Sequence, residues 1–585
     1  MSPPRADEAQ GRHTRHLPWA GAVLGVLWFL AVGGGPTLDP TNLEWLGWGD
    51  LAQHVLGWLH FRDAPWGLPL GRTPDLMSPL TMTVGLSDSN PWVSVALKPF
   101  SRWLPQDFQF IGPWLALCLA LQGWMGVKLV GLFTSRPSQQ LLGAALFVMS
   151  PVLLFRFGHD TLCAHWMLTA MLWLYLRPRE DARAAWRTLG WALLLNALAA
   201  GTHPYLTVMV FALTLALLVT TVRPERNLSW REAGAALVGL CLVVGAIFLV
   251  FGYVGQDVSG TTGGFGVYSA DMLTLINPMG WSFWVPRLPT RMEQYEGFGY
   301  LGTGVLVLLA GGLLWSPSTW WPRVRAELRA RLPLVLMVLM LAVLAFSSTV
   351  TLGGRSVLTM RKLAVPLMPV LGIFRGSGRF IWPLHYAVMT GAIALIVWRL
   401  RQHPRVATCV LLGAALLQSL DTEPLWSQSR FTAAPWPRLR APEWEHVDPF
   451  YRHIVLYPPS IHASEVPCVG NTFPDDTYVR FGDLAYRKDL TTNSGYAARI
   501  NEEHVAAVCA ALKADIESGR LAEDTLYVVD GPRLELFQRL GARVACGALD
   551  GFNVCVAAKE GRFREALLRA PPPPAGMGSK TPTDT

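Results

Sequence analysis

The chain has 585 residues, of which 51% are hydrophobic and 15% charged. With a mean hydropathy of +0.30, that composition excludes an ordinary soluble domain, where about a quarter of residues carry charge. The net charge of +8 comes from arginines in short loops between apolar runs, and no basic–aromatic stretch suits nucleic acid.

At the start, Arg5, Arg12 and Arg15 precede an apolar run from Leu17 to Gly34. A cleavable signal peptide is the competing reading, but no small-residue cleavage site comes after it, so the run is expected to stay as a first span. Further spans are expected at about 107–128, 139–157, 161–176, 188–202, 204–222, 233–253, 298–315, 332–348, 380–399 and 405–421. Each approaches the ~20 residues that cross a bilayer, although 161–176 and 188–202 are short. The fold class is thus an α-helical polytopic membrane protein of about eleven transmembrane helices, and its 25 tryptophans fit aromatic belts at lipid–water interfaces. Lys128/Arg136, Arg177–Arg187, Arg223–Arg231, Arg323–Arg331 and Arg399–Arg405 fall in alternate loops, on the side of the Arg-bearing N-terminus. The positive-inside rule puts that side in the cytoplasm and the C-terminus outside.

The outer face then receives the long loops 35–106 and 254–297, the turn Arg156–Asp160, a break at His203-Pro204, a segment at 349–379 and the tail after Asp421. Segment 349–379 is apolar but interrupted by Pro366 and Pro369, which suggests a re-entrant or interfacial path. Residues 422–560 read as a mixed α/β domain. Strands are expected at His453–Tyr457, Thr525–Asp530, Arg543–Cys546 and Phe552–Ala557, and helices at Glu502–Glu517 and Leu534–Leu540. Residues 561–585, with Pro571–Pro574, read as disordered. Four of eight cysteines lie in this tail, an even number that fits two disulfides in an oxidising compartment. Asp550-Gly551 marks a hairpin turn that would pair Cys546 with Cys555, leaving Cys468 for Cys509.

Trp48-Gly-Asp-Leu-Ala-Gln-His-Val-Leu-Gly-Trp-Leu-His60 is expected to form a short amphipathic helix on a membrane surface. Asp50, Gln53, His54 and Gly57 share one face. A carboxylate there could deprotonate an acceptor hydroxyl while His54 orients or shares the proton; a solvated polar face is the plainer alternative. Asp88, in Ser87-Asp-Ser-Asn-Pro91, could join Asp50 in holding a divalent cation such as Mg or Mn, although capping a turn is as good an account. His159, Asp160 and His165 sit at the end of a span, where ionisable groups lean toward function but solvation is cheap. Tyr295 and Glu296 lie at the mouth of the next span, where an ordinary solvated loop acid is the better single account of Glu296. Arg375 and Arg379, flanked by glycines, suit a phosphate, or else a lipid headgroup. ATP-driven transport is not expected, because no phosphate-binding loop motif is found.

Gly49-Asp-Leu-Ala-Gln-His54, Ser87–Pro91, Gly158-His159 with Ala164-His-Trp166, Gln294-Tyr-Glu-Gly297, Ser377-Gly-Arg-Phe380 and Asn493-Ser-Gly-Tyr-Ala-Ala-Arg499 succeed one another in an order that resembles an uncharacterised bacterial multi-pass membrane-protein family. That family stands near the GT-C superfamily of polyprenyl-phosphate-sugar-dependent glycosyltransferases, which the layout of spans, first outer loop and outer tail also resembles. The resemblance covers about 17–557. It implies a transferase in the bacterial inner membrane that moves a sugar from a polyprenyl-phosphate donor to an acceptor in the cell envelope. It further implies Asp50 as base with His54 and Asp88 beside it, and donor contacts from Arg375, Arg379, His159 and His165. Substrate contacts would come from Gln53, Tyr295, Glu296, Tyr496 and Arg499. The chain departs from the superfamily in lacking an Asp-Glu pair in the first loop and an Asp-x-Asp in the second, so a cation is left open. A flippase for a lipid-linked saccharide would place ionisable groups near mid-span, whereas most here lie at span ends. A non-catalytic envelope assembly protein would need the tail but not Asp50.

Overall fold

A computed structural model of the protein describes residues 16–572, apart from 81, 180, 223–227, 256–257, 259–263, 315–320, 429–430, 432, 463–469 and 471. The chain divides into two compact units, which are not the contiguous parts expected from the sequence. One holds residues 1–42, 109–247 and 263–432, and the other 43–108, 248–262 and 433–585. Residues 43–108, from the long first loop, fall in the same unit as the C-terminal residues from 433 onward.

The first unit is helical. Helices lie at every expected span, and among the described residues six are long and apolar enough to cross a membrane: Leu17–Leu38, Ile111–Val130, Pro137–Phe155, Pro204–Thr221, Trp230–Val250 and Ser377–Arg399. By length and composition this is a membrane protein. Pro322–Ala330 and Leu332–Phe346 meet at an 81° bend, and Thr303–Leu314 is apolar but shorter. Trp166–Leu176 has only 11 residues, and Ala182–Ala200 carries Arg183 and Arg187.

Local chemistry explains how these helices start and pack. Prolines open the helices at 137, 204 and 404, where a missing N–H costs nothing. His203 caps its helix, its Nδ1 accepting from the Tyr205 N–H at 3.2 Å. Gly25 lets the first helix touch backbone: a Cβ there would lie 2.0 Å from the Leu119 carbonyl oxygen. Small residues at membrane helix contacts serve this purpose.

Segment 349–379 opens with a β-hairpin and continues in short helices. Strands Thr349–Leu352 and Arg355–Thr359 pair antiparallel around Gly353-Gly354, which have φ of +58° and +75°. Two successive left-handed residues are what a tight hairpin turn requires. The buried Asp271 carboxylate accepts from Thr351 Oγ1 at 2.7 Å, Gly354 N at 3.0 Å and Gly353 N at 3.1 Å, fixing the turn from outside. Beyond the hairpin, Pro366 and Pro369 confine the chain to the short helices Arg361–Ala364, Val365–Leu367 and Met368–Leu371.

The second unit is built on a five-stranded sheet. Its order is Ala545–Leu549, Phe552–Val556, Thr525–Val529, His453–Tyr457 and Thr491–Thr492. The first two joints are antiparallel and the last two parallel. Leu526 and Val528 enter one apolar core, and Tyr527 and Val529 enter the other, as alternation along a doubly covered strand dictates. Asp550 and Gly551 form the expected turn, and Cys546 and Cys555 are disulfide-bonded across it. The expected Cys468–Cys509 pair involves Cys468, which lies outside the described residues. The helix Glu502–Glu517 has its expected bounds. Helix Thr477–Lys488 was not expected, nor was Arg562–Arg569, which replaces disorder at the start of the supposed tail. Phe563 and Leu567, one turn apart, are fully buried in the sheet's core.

Helix Gly49–Asp63 is not a surface helix. Every residue from Leu51 to Arg62 is buried within the second unit. Leu56 meets Gly482 of helix Thr477–Lys488, and Trp58 Nε1 donates to Phe108 O at 3.0 Å. Arg62 donates to the carbonyls of Ser101, Leu104, Pro105 and Gln106. Lys98 supplies its ammonium to the carbonyls of Phe61 and Ala64 at the helix C-terminus, where free carbonyls and the helix dipole favour a cation. The apolar face that suggested a lipid surface is covered by protein instead.

Candidate functional site

Three of the six stretches that carry the family resemblance fall in the second unit and three in the helical unit. In the second unit, Asp50, Gln53 and His54 occupy the first turns of helix Gly49–Asp63. Their face meets the loop Ser87–Asn90 across Gly57, where a Cβ would lie 2.2 Å from Ser87 Oγ and 2.3 Å from Ser89 Oγ. The loop is wound tightly, with Asp88 at φ +54° and Asn90 at φ +45°. Asp and Asn are the non-glycine residues that take up this left-handed conformation most readily, which lets the loop turn tightly. Ligand atoms of His54 and Asp88 come within 4.8 Å of one another. Asn90 is fully buried, and neither its Oδ1 nor its Nδ2 has a hydrogen-bond partner among the described residues; the same holds for Gln53 Nε2. Buried amides normally find partners, so these three atoms suit a polar ligand or bound water.

The tail closes around the same cluster. Ala498 N donates to Leu86 O at 2.8 Å, and Arg499 Nη2 donates to Tyr253 O at 2.7 Å. Burial and the Asp88 charge hold the Tyr253 hydroxyl well above its ordinary pKa. Burial, Tyr496 and the Asp50 charge do the same to Tyr478. Arg499 therefore holds backbone, and Tyr496 lies within electrostatic reach of Tyr478. Substituting Gly57→Ala is expected to destabilise the chain by about 1–3 kcal/mol through overpacking against two serines. Thermal unfolding of the full chain, with limited proteolysis in the Ser87–Asn90 loop, checks this; unchanged stability and an intact loop would count against the tight docking.

The cluster in the helical unit is built on charge. Glu296, in the turn Met292–Gly297, takes Arg156 Nη1 at 2.8 Å and Arg379 Nε at 2.7 Å on the same oxygen, and Arg379 Nη2 at 3.0 Å on the other. Arg156 Nη2 also donates to the Glu296 carbonyl at 2.9 Å. The side chains are only 6–13% exposed. Burial pushes the Glu296 carboxyl up, but the two guanidiniums outweigh it and hold the group well below the usual carboxylate range. Glu296 is thus a buried ion-pair partner rather than the solvated loop acid expected. Arg156, which sequence reasoning placed only in a turn, is the missing member of the triad.

Aromatic rings frame this triad. Arg379 lies over the Tyr205 ring at 4.7 Å and Arg375 over Tyr268 at 4.6 Å. Arg375 Nη2 donates to Tyr268 Oη at 2.8 Å. Tyr205 Oη accepts from Gly376 N at 2.7 Å, and Tyr295, half-exposed, packs edge-on to Tyr268. His159 and His203 stand with ring centroids 5.2 Å apart. His165 is in the packed interior instead, with Nδ1 2.8 Å from Tyr386 Oη and its ring against Trp382. The arginine partners of Tyr205 and Tyr268 come only with the fold, since an aromatic beside an arginine far along the chain leaves no local pattern.

A family model described as a domain of unknown function, DUF6311, matches residues 22–423, well over half of the chain. The chain belongs to the DUF6311 family. A second model, the DUF6311 C-terminal domain, matches residues 443–557. No curated protein matches the chain. The two DUF6311 segments do not coincide with the two compact units: residues 43–108 lie in the first segment but fold with the second.

Proposed function

We propose that this DUF6311 protein is a GT-C-type membrane glycosyltransferase. It would move a sugar from a polyprenyl-phosphate donor to a glycan, lipid or protein acceptor at the outer face of the bacterial inner membrane. Eleven spans with a cytoplasmic N-terminus and an outer C-terminal unit go with this reading, and the arginines of alternate loops support that orientation. The observation that carries it is the Asp50 helix docked through Gly57 on Ser87 and Ser89, with His54 beside Asp88 and buried amides left to serve a ligand.

In the proposed reaction Asp50 accepts the proton of an acceptor hydroxyl as its oxygen attacks the anomeric carbon. The bond from that carbon to the donor phosphate oxygen breaks, and the phosphate leaves with the electron pair. Asn90 and Gln53 would bind sugar hydroxyls. His54 and Asp88 would orient the base or hold a divalent cation, and their mixed nitrogen and oxygen donors suit Mn better than Mg. In the helical unit, two guanidiniums on one carboxylate sum to a buried charge of +1 and Arg375 adds an exposed guanidinium, a combination that suits a lipid phosphate.

Binding of undecaprenyl phosphate by the full-length protein in nanodiscs, monitored by native mass spectrometry, tests the phosphate assignment. The expected result is binding at least about tenfold tighter than for undecaprenol, reduced similarly by Arg375→Ala. Equal binding of the two lipids would remove the phosphate from the reading.

A further inference from the structure

The second unit contains a cleft beside the Asp50 helix, opening just ahead of its first turn. It encloses about 550 Å³ and is lined by Trp48, Trp436 and, among others, Arg440, Arg480, Asp475 and Asp476. That volume falls within the roughly 300–1,000 Å³ of small-molecule sites. Trp48 is 78% exposed, and an extended backbone at φ −141°, ψ 150° carries it just ahead of helix Gly49–Asp63. An indole left this open offers the cleft a broad apolar face with an N–H at its edge.

The remaining walls are polar and balanced in sign. Arg480 is held by Asp476, with Nη2 at 2.6 Å and Nε at 3.0 Å. Asp550 is committed to the backbone N–H groups of Arg440 and Ala441 and to Trp444 Nε1. Trp436 is buried, its Nε1 donating to Asp483 at 2.9 Å, so its ring is fixed. Arg440 and Asp475 both present exposed side chains at the rim. A purely anionic ligand would meet as many carboxylates as guanidiniums, and an apolar one would leave both unsolvated. A sugar fits such walls: its C–H face covers an indole, while its hydroxyls donate to carboxylates and accept from guanidiniums.

We propose that this cleft binds a neutral oligosaccharide, stacked on Trp48 and hydrogen-bonded by Arg440 and Asp475. Its role as an acceptor subsite rests on the proposed sugar transfer, but binding is measured without turnover. A failed cleft and a failed reaction are therefore told apart. An interfacial anchor, with Trp48 in lipid headgroups, is the competing outcome.

The test uses full-length protein labelled with 5-fluorotryptophan in nanodiscs, the Trp48 resonance being identified by its loss in Trp48→Phe. Maltose, cellobiose, chitobiose and mannobiose are the probes, each at millimolar concentration. The expected result is a saturable shift of the Trp48 resonance with at least one of them, and no broadening by spin-labelled lipid. Saturation-transfer signals from that sugar should fall at least about tenfold in affinity for Trp48→Ala, and clearly for Asp475→Asn, with thermal unfolding unchanged. No shift with any probe, an affinity indifferent to Trp48→Ala and Asp475→Asn, or broadening by the lipid label would each overturn the proposal.

Discussion

Glu296→Gln is expected to destabilise the helical unit by about 3–5 kcal/mol, the usual consequence of breaking a buried ion pair from one side. The amide keeps the shape of the carboxylate but leaves Arg156 and Arg379 facing one another with no anion between them. Because the folded-state pKa of Glu296 is depressed, its stabilisation is complete above the ordinary glutamate value of about 4.3 and is lost as the pH falls through the lower folded value. The gap in thermal stability between wild type and Glu296→Gln should therefore be constant across neutral pH and close only in acid. Removing a guanidinium as well, in Arg156→Gln/Glu296→Gln, should cost less than the sum of the single changes. A gap that widened in acid, or strict additivity, would contradict the buried triad.

Asp50→Asn is expected to lower sugar transfer by about 10²–10⁴-fold, the usual contribution of a positioned general base, while leaving the fold intact. The side chain is only half-buried in the first turn of its helix, where losing its charge costs about 0.3–1 kcal/mol of interaction with the helix dipole. A rate loss without a larger shift in thermal unfolding separates chemistry from structure. Loss of both together would make Asp50 a structural residue.

Much of the local structure could be read from the residues alone. Asp550-Gly551 announced its hairpin and, with it, the Cys546–Cys555 bond, because a two-residue turn places flanking positions opposite one another. Apolar patterning located helix Glu502–Glu517 and a helix at each expected span of the membrane unit, but not Trp321–Ala330 or the short helices after the 349–359 hairpin. What escaped was long-range. The stretch from Trp48 to His60 has one apolar and one polar face in any environment, and nothing in that pattern distinguishes lipid from the Thr477–Lys488 helix as its cover. Glu296 looked like a solvated acid because its partners lie 140 and 83 residues away. Gly353-Gly354 carried a turn signal that the surrounding apolar residues obscured. Phe563 and Leu567 did the same for the last helix, masked by the proline run behind them.

The central claim is tested most directly by asking whether purified full-length protein consumes a polyprenyl-phosphate-linked sugar. In nanodiscs loaded with radiolabelled undecaprenyl-phosphate hexose or pentose and given envelope extract as acceptor, wild type should convert at least one donor to undecaprenyl phosphate. Asp50→Asn should bind that donor and convert it at least about a hundredfold more slowly. Equal conversion by the two proteins, or no conversion of any donor by wild type, would contradict the account.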